Sequence, residues 1–174
     1  MNKDRKVILY IAVSLDGYIA DENGGVDWLE EAGGEGDNGY KSFFETIDTV
    51  VMGKATYNQI LGFDVPFPYA EKKCYVFSGT QMGKDEHAEF VNEDVNNFVC
   101  RLKQGKGQNI WLVGGAGILD AFMKAGAVDE FILTYIPVIL EKGIPLFKND
   151  NPKMKLHLKE TKRMNEFVQV HYTV

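Results

Sequence analysis

Four short apolar runs, rich in β-branched and aromatic residues, each end on a glycine-bearing turn. KVILYIAV runs into SLDG, DTVV into MGKAT, KCYVF into SGT, and NIWLV into GGAG. No other feature narrows the fold as much. Runs that are nearly continuous in apolarity describe strands covered on both faces. Helix signals alternate with them. Residues 40–47, YKSFFETI, place Tyr40, Phe43, Phe44 and Ile47 at the i, i+3, i+4, i+7 spacing of a short amphipathic helix. KATYNQIL reads as a second helix. Residues 92–104 begin with the capping-type Asn92 and the acidic Glu93 and Asp94, then carry Val95, Phe98, Val99 and Leu102 on one face. ILDAFMKAG reads as a helix closed by Gly126, EFILTYIPVI as a further long strand. The tail alternates apolar and polar in its last half, which predicts an antiparallel hairpin turning near Arg163 to Asn165. The order predicts an α/β fold: a central mixed, mostly parallel sheet with helices on both faces and a C-terminal antiparallel hairpin. At 174 residues the chain has the length of one domain, spanning 1–174.

In such sheets ligands bind in the crevice beyond the carboxyl ends of the strands. All four glycine turns fall there. In VGGAGILDAF a helix starts directly after a strand, so its first N–H groups are unpaired and carry partial positive charge. Glycines let an anion approach that backbone, which suits a pyrophosphate; a tight turn needing glycine only for its geometry is the other reading. MGKAT offers Lys54 and the Thr56 hydroxyl at another helix start, fit for a terminal phosphate or simply solvated. Ser78 and Thr80 of FSGT are phosphate donors or ordinary turn residues. Asp16 of SLDG is either a carboxylate that orients substrate or relays a proton, or an Asx-type turn residue. Trp28 reads as a packing anchor, with a ligand platform as the alternative.

Composition excludes several classes. Hydrophobic residues at 45% and charged residues at 25% describe a globular chain. A net charge of -6 works against capture of nucleic acid or an anionic membrane. The two cysteines, Cys74 and Cys100, form no CxxC pair, and His87, His157 and His171 lack metal-site spacing. The charged start MNKDRK leads into an apolar run without a cleavage-like pattern, and the stretch from Phe131 to Leu140 is too short to span a bilayer. These features predict a soluble cytoplasmic protein with no metal, nucleic acid or membrane partner.

The ordered set SLDGYIA, DTVVMGKATY, VFSGT, LVGGAGILDAF and VDEFILTYIPVILEKGIPLF resembles the dihydrofolate reductase superfamily. The resemblance is closest to the branch that includes the reductase domain of bacterial riboflavin biosynthesis, the RibD C-terminal domain. It runs from Val7 to Phe147, with the tail hairpin in keeping. It implies an NADPH-dependent oxidoreductase that passes hydride to a small heterocyclic substrate, of the 5-amino-6-(5-phosphoribosylamino)uracil reductase or dihydrofolate reductase type. Gly114 and Gly115 match the family's glycine pair, joined by a cis peptide, and Ala116, Gly117, Ile118 and Leu119 follow along the cofactor's pyrophosphate and nicotinamide side. Gly53, Lys54 and Thr56 match the site that grips the adenosine end. Ser78, Gly79 and Thr80 match the turn beside the adenine ribose phosphate. Ala12 and Ile19 match the strand end and loop at the nicotinamide, and Asp16 the aspartate kept near the substrate. Tyr40, Phe44 and Trp28 are the candidate lining of the substrate slot. Relatives of this branch also imply a homodimer.

Some positions depart from the pattern. Dihydrofolate reductases carry a carboxylate on the substrate-facing side of the 40–47 helix, but here Glu45 lies roughly 150° from the mean apolar direction and should face solvent. Asp37 is a candidate substitute by its distance from Gly53, but it sits among Gly36, Asn38 and Gly39, where a helix cap is the expected reading. Val113 stands where the riboflavin branch has a glutamate, and Glu141 where it has a glycine. These departures keep an alternative open: a non-catalytic nucleotide- or flavin-binding protein that retains the fold.

Overall fold

The first strand, β1 (Val7–Ser14), divides its side chains between two hydrophobic layers. Val7, Leu9 and Val13 point into one layer with Phe98, Leu102, Leu119 and Phe122. Ile8 points the other way, toward Phe43, Tyr57 and Trp111. The computed structural model describes residues 5–174; positions 1–4, part of the charged N-terminal stretch, lie outside the described residues. After β1 come β2 (Tyr18–Ala20), α1 (Asp27–Glu31), α2 (Tyr40–Phe44), β3 (Ile47–Gly53), α3 (Lys54–Leu61) and β4 (Lys73–Phe77). Then follow β5 (Gly83–Lys84), β6 (Glu89–Val91), α4 (Val95–Gln104), β7 (Asn109–Gly114) and α5 (Ala116–Lys124). The chain ends with β8 (Glu130–Ile136), β9 (Ile144–Pro145), β10 (His157–Met164) and β11 (Phe167–Thr173).

Nine strands form one sheet in the order β10-β11-β8-β1-β7-β3-β4-β6-β5. The inner run from β8 through β1, β7, β3 and β4 to β6 is parallel throughout. The C-terminal hairpin adds β11 and β10 antiparallel at one edge. Helices α4 and α5 cover the face of Leu9, and α2 and α3 cover the face of Ile8. This is the mixed, mostly parallel sheet with two helical faces that the sequence predicts. β1, β7, β3 and β4 are neighbours running the same way, so the four glycine turns lie side by side along one rim.

Several boundaries differ from expectation. Helix α2 stops at Phe44, and Ile47 opens β3 while its side chain still joins the Phe43 layer. A buried residue at helical spacing thus arrives by a sharp turn rather than another helical turn. Helix α4 is capped by Asp94, not Asn92: its carboxylate accepts from the Asn97 N–H at 3.1 Å. Strand β8 ends at Ile136, because Pro137 has no N–H for the ladder. The hairpin turns at Asn165, which takes φ 56°, and Glu166. Helix α5 closes as expected on Gly126 (φ 61°), with the Ala127 N–H bonded to Phe122 O at 2.9 Å. Strands β5 and β6 and the two-stranded β2–β9 ribbon are too short to have shown a period.

Glu130 fixes the hairpin to the sheet. It is 3% exposed and accepts from Lys6, from Lys159, and from His171 Nε2 at 2.6 Å. Among the described residues, no helix is long and apolar enough to cross a membrane.

Candidate functional site

Two helices begin at the rim without a side-chain cap. Gly53 precedes α3 and Gly115 precedes α5, and neither supplies a group for the first N–H donors. Those donors stay open for an anion. The peptide between Gly114 and Gly115 is cis, as the resemblance implies. A Cβ placed on Gly115 would lie 3.4 Å from Thr56 Oγ1 and 3.7 Å from Ile19 Cδ1. One on Gly53 would lie 3.9 Å from Ile118. Residues from three separate segments therefore converge on this rim. Beside them opens a cleft of about 300 Å³, lined by Gly53, Phe77, Ser78, Gly79, Val91, Asn92, Gly117, Ile118 and Ala121.

Other expected cradle residues sit differently. Leu119 is 1% exposed inside the core, and its N–H is bonded to Gly115 O, so it presents nothing to a cofactor. Ala116 is buried at the helix start. The Lys54 ammonium lies 4.5 Å from the Phe90 ring centre and 5.3 Å from that of Tyr57, outside the lining of the cleft. Ser78 Oγ accepts from the N–H groups of Thr80 and Gln81 at 3.3 and 3.0 Å, which folds the turn and leaves the hydroxyl hydrogen to donate. Thr80 is exposed beyond it.

On the α2 side of the sheet lies a trough of about 260 Å³. Its floor is Tyr10, Ala12, Thr134 and Ile136; its walls are Leu29, Gly33, Gly34, Asn38, Tyr40 and Phe167. Ala12 and Tyr40 are among its lining residues. Phe44 is not. It stacks on Tyr40 at 5.4 Å between ring centres and lies under the Lys72 ammonium at 4.3 Å. Trp28 does not line the trough either: it is buried against Ile136 of the floor and Phe167 of the wall and supports both from behind. Sequence reasoning missed Tyr10, Leu29, Asn38, Thr134, Ile136 and Phe167. The usable signal was the parity of β1, which puts Tyr10 and Ala12 on one face, together with Thr134, a hydroxyl inside an apolar strand.

Asp16 is a clamp rather than a proton relay. It accepts from Ser14 Oγ at 2.7 Å and from the N–H groups of Leu140 and Glu141 at 3.1 and 2.8 Å. Desolvation pulls this carboxyl up, but those hydrogen bonds outweigh it and hold it below the ordinary aspartate range. Such a carboxylate is ionised at neutral pH, and its oxygens are engaged by three donors. It ties the loop after β1 to the segment after β8, helped by Leu15 N–H to Val138 O and Leu146 N–H to Gly17 O, both 2.9 Å. Glu141 takes φ 67°, the left-handed region where a glycine would sit without strain. Gly143 approaches Ala20 so closely that a Cβ would lie 2.2 Å from the Ala20 carbonyl oxygen. Asp37 caps α2, accepting from the N–H groups of Lys41 and Gly39 at 2.9 and 3.1 Å, and Glu45 is exposed, both as expected. Burial raises the phenols of Tyr10 and Tyr40, so both stay protonated at neutral pH.

The family model of the RibD C-terminal domain matches residues 5–170. The uncharacterized protein YwjB of Bacillus subtilis (strain 168) is 53% identical over 170 residues, covering 97% of this chain and 98% of its own. The crystal structure of a putative riboflavin biosynthesis protein from Shewanella sp. PV-4 superposes with a TM-score of 0.87 at 28% identity, covering 97% of this chain and 98% of that one. A dihydrofolate reductase from Enterococcus faecalis shares the fold at a TM-score of 0.65 and 18% identity, covering 97% of this chain and 95% of that one.

Proposed function

This chain belongs to the RibD C-terminal domain family, and from that premise we propose that it is an NADPH-dependent reductase of a small heterocyclic substrate. The fold is that of reductases. The observation that carries the finer reading is the rim, where the uncapped starts of α3 and α5 meet around Gly53, Thr56, Ile19, Gly115 and Ile118. These groups fit a phosphorylated dinucleotide: open N–H donors for a pyrophosphate, and a glycine that leaves only contact distance to Thr56. Gly53, Ser78, Gly79 and Gly117 line the cleft that would take the adenosine end, and Ala12 lines the trough that would take the reacting ring. Lys54 reaches a 2′-phosphate by leaving the Phe90 ring. When bound, the nicotinamide supplies a hydride. The protein holds one face of the trough apolar through Ala12, Ile136 and Leu29, and holds a proton on Tyr10, Tyr40 and Thr134. Pteridines and ribosylaminopyrimidines, the substrates of dihydrofolate reductase and of 5-amino-6-(5-phosphoribosylamino)uracil reductase, are the classes of ring to try first.

A homodimer belongs to the same proposal. It is supported by a half-covered sheet face on the hairpin, where Val168 pairs with Tyr135 and Leu158 with Tyr172, leaving Val168 and Leu158 exposed. The test of the cofactor reading is titration with NADPH followed by protein fluorescence. Saturable binding at micromolar cofactor is expected, and its absence overturns the reading. A second reading, nucleotide binding without turnover, is favoured by one observation: no carboxylate lines the trough. Single-turnover loss of NADPH absorbance with a panel of pteridines, ribosylaminopyrimidines and flavins separates the two.

A further inference from the structure

The trough floor is apolar except at Tyr10 and Thr134, and Thr134 meets a third polar residue, Gln169. Gln169 pairs with Thr134 across β11 and β8, and the two are 9% and 8% exposed. Gln169 Nε2 donates to Thr134 Oγ1 at 3.0 Å. The Tyr10 ring is fixed, stacked on Phe43 at 4.0 Å and 9° and set edge-on to Trp111 at 5.9 Å. A carboxamide nitrogen carries two hydrogens, and a hydroxyl that accepts one keeps its own hydrogen for another partner.

We propose that Gln169 is a positioning residue that makes this floor a donor edge: its amide hydrogen goes to Thr134, whose hydroxyl then donates into the trough beside the Tyr10 phenol. The inference rests on the trough being the substrate site and names what that site selects. The ring it takes presents acceptors on its buried edge, oxo oxygens or unprotonated ring nitrogens. Amino-substituted edges meet O–H donors and lose their partners. A carboxylate in the trough would reverse the choice, but none lines it.

The test needs no cofactor. Uracil, a 2,4-dioxopyrimidine, and 2,4-diaminopyrimidine are titrated into the protein by calorimetry. Wild type is expected to bind uracil in preference. In Gln169→Glu the carboxylate accepts from the Thr134 hydroxyl, which then no longer donates into the trough. Uracil is expected to weaken about tenfold or more while diaminopyrimidine gains. Thr134→Val keeps shape and removes one donor; it should weaken uracil about tenfold without any gain for diaminopyrimidine. It also serves if Gln169→Glu fails to fold by circular dichroism. No saturable uracil binding to wild type, a wild-type preference for the diamino ring, or an unchanged preference in both variants overturns the proposal. NADPH binding without the ring preference rejects the donor edge alone, whereas ring preference without NADPH binding rejects the reductase reading alone.

Discussion

The cradle at the rim and the trough on the sheet face are neighbours, yet they are built from different materials. The cradle is mostly backbone: helix starts, glycines and a turn held by Ser78. The trough is mostly side chains, brought together from β1, β8, β11 and the 29–40 segment. A backbone site needs small residues at fixed places in a short motif. A side-chain site needs the right strands to be adjacent in the right register. The first tolerates change in its surroundings and fails on one added methyl group; the second tolerates local change and fails when the register moves.

The sharpest way to break this contrast is Gly115→Val. The added side chain starts 3.4 Å from Thr56 Oγ1 and fills the pyrophosphate approach. NADPH affinity is expected to fall by more than about a hundredfold with an unchanged circular-dichroism spectrum. Retained binding would show that the backbone cradle is not the cofactor site.

Next in size is Glu130→Ala, which acts on the trough alone. The carboxylate is buried, but its partners Lys6 and Lys159 are 43% and 49% exposed. A loss of about 2 kcal/mol in denaturant unfolding is expected, below that of a fully buried pair. With the hairpin loosened, ring binding should drop while NADPH affinity stays within about twofold. A parallel fall in both would mean the two regions are one unit.

Lys54→Ala asks whether the cradle uses any side-chain charge. NADPH should weaken about tenfold with NADH unaffected, and the gap should close at high salt. An equal loss for both cofactors rejects a 2′-phosphate role.

The smallest effect is expected from Asp16→Asn at neutral pH, because the clamp faces solvent and the amide keeps one of its two accepting oxygens. The acid limb tells more. With its folded pKa depressed, the Asp16 clamp is complete above the ordinary aspartate value near ~4 and is lost as pH falls through the lower folded value. Thermal melts of wild type should therefore hold through mild acid and decline only below that range, and the variant should lack this component. Matching acid limbs would remove Asp16 from the account.

How much was legible follows the same division. Strands β1, β3, β4 and β7 and helices α3 and α5 are visible because each carries its own period and its own stop signal. Their parallel order put Gly53, Ser78 and Gly117 on one rim, as the turns suggested. Leu119 was misplaced because a motif marks a backbone path and says nothing of which side chain turns inward. Phe44 and Trp28 were drawn to the trough by their size, yet their rings found aromatic and apolar partners elsewhere. Thr134 and Gln169 escaped notice because they are 35 residues apart, and only the pairing of β8 with β11 makes them neighbours. Asp16 has two hydrogen-bond partners more than 120 residues away, so no local reading separates a clamp from a relay.

Gly143 carries a last consequence. It sits in a linking segment with no catalytic chemistry of its own, yet Ala20 leaves it no space for a side chain. A saturation library screened for NADPH retention should find this position nearly as intolerant as the glycines of the rim. Intolerance to substitution would then single out a residue that touches no ligand, and a map of such positions would trace the seam along which the two loops are fastened.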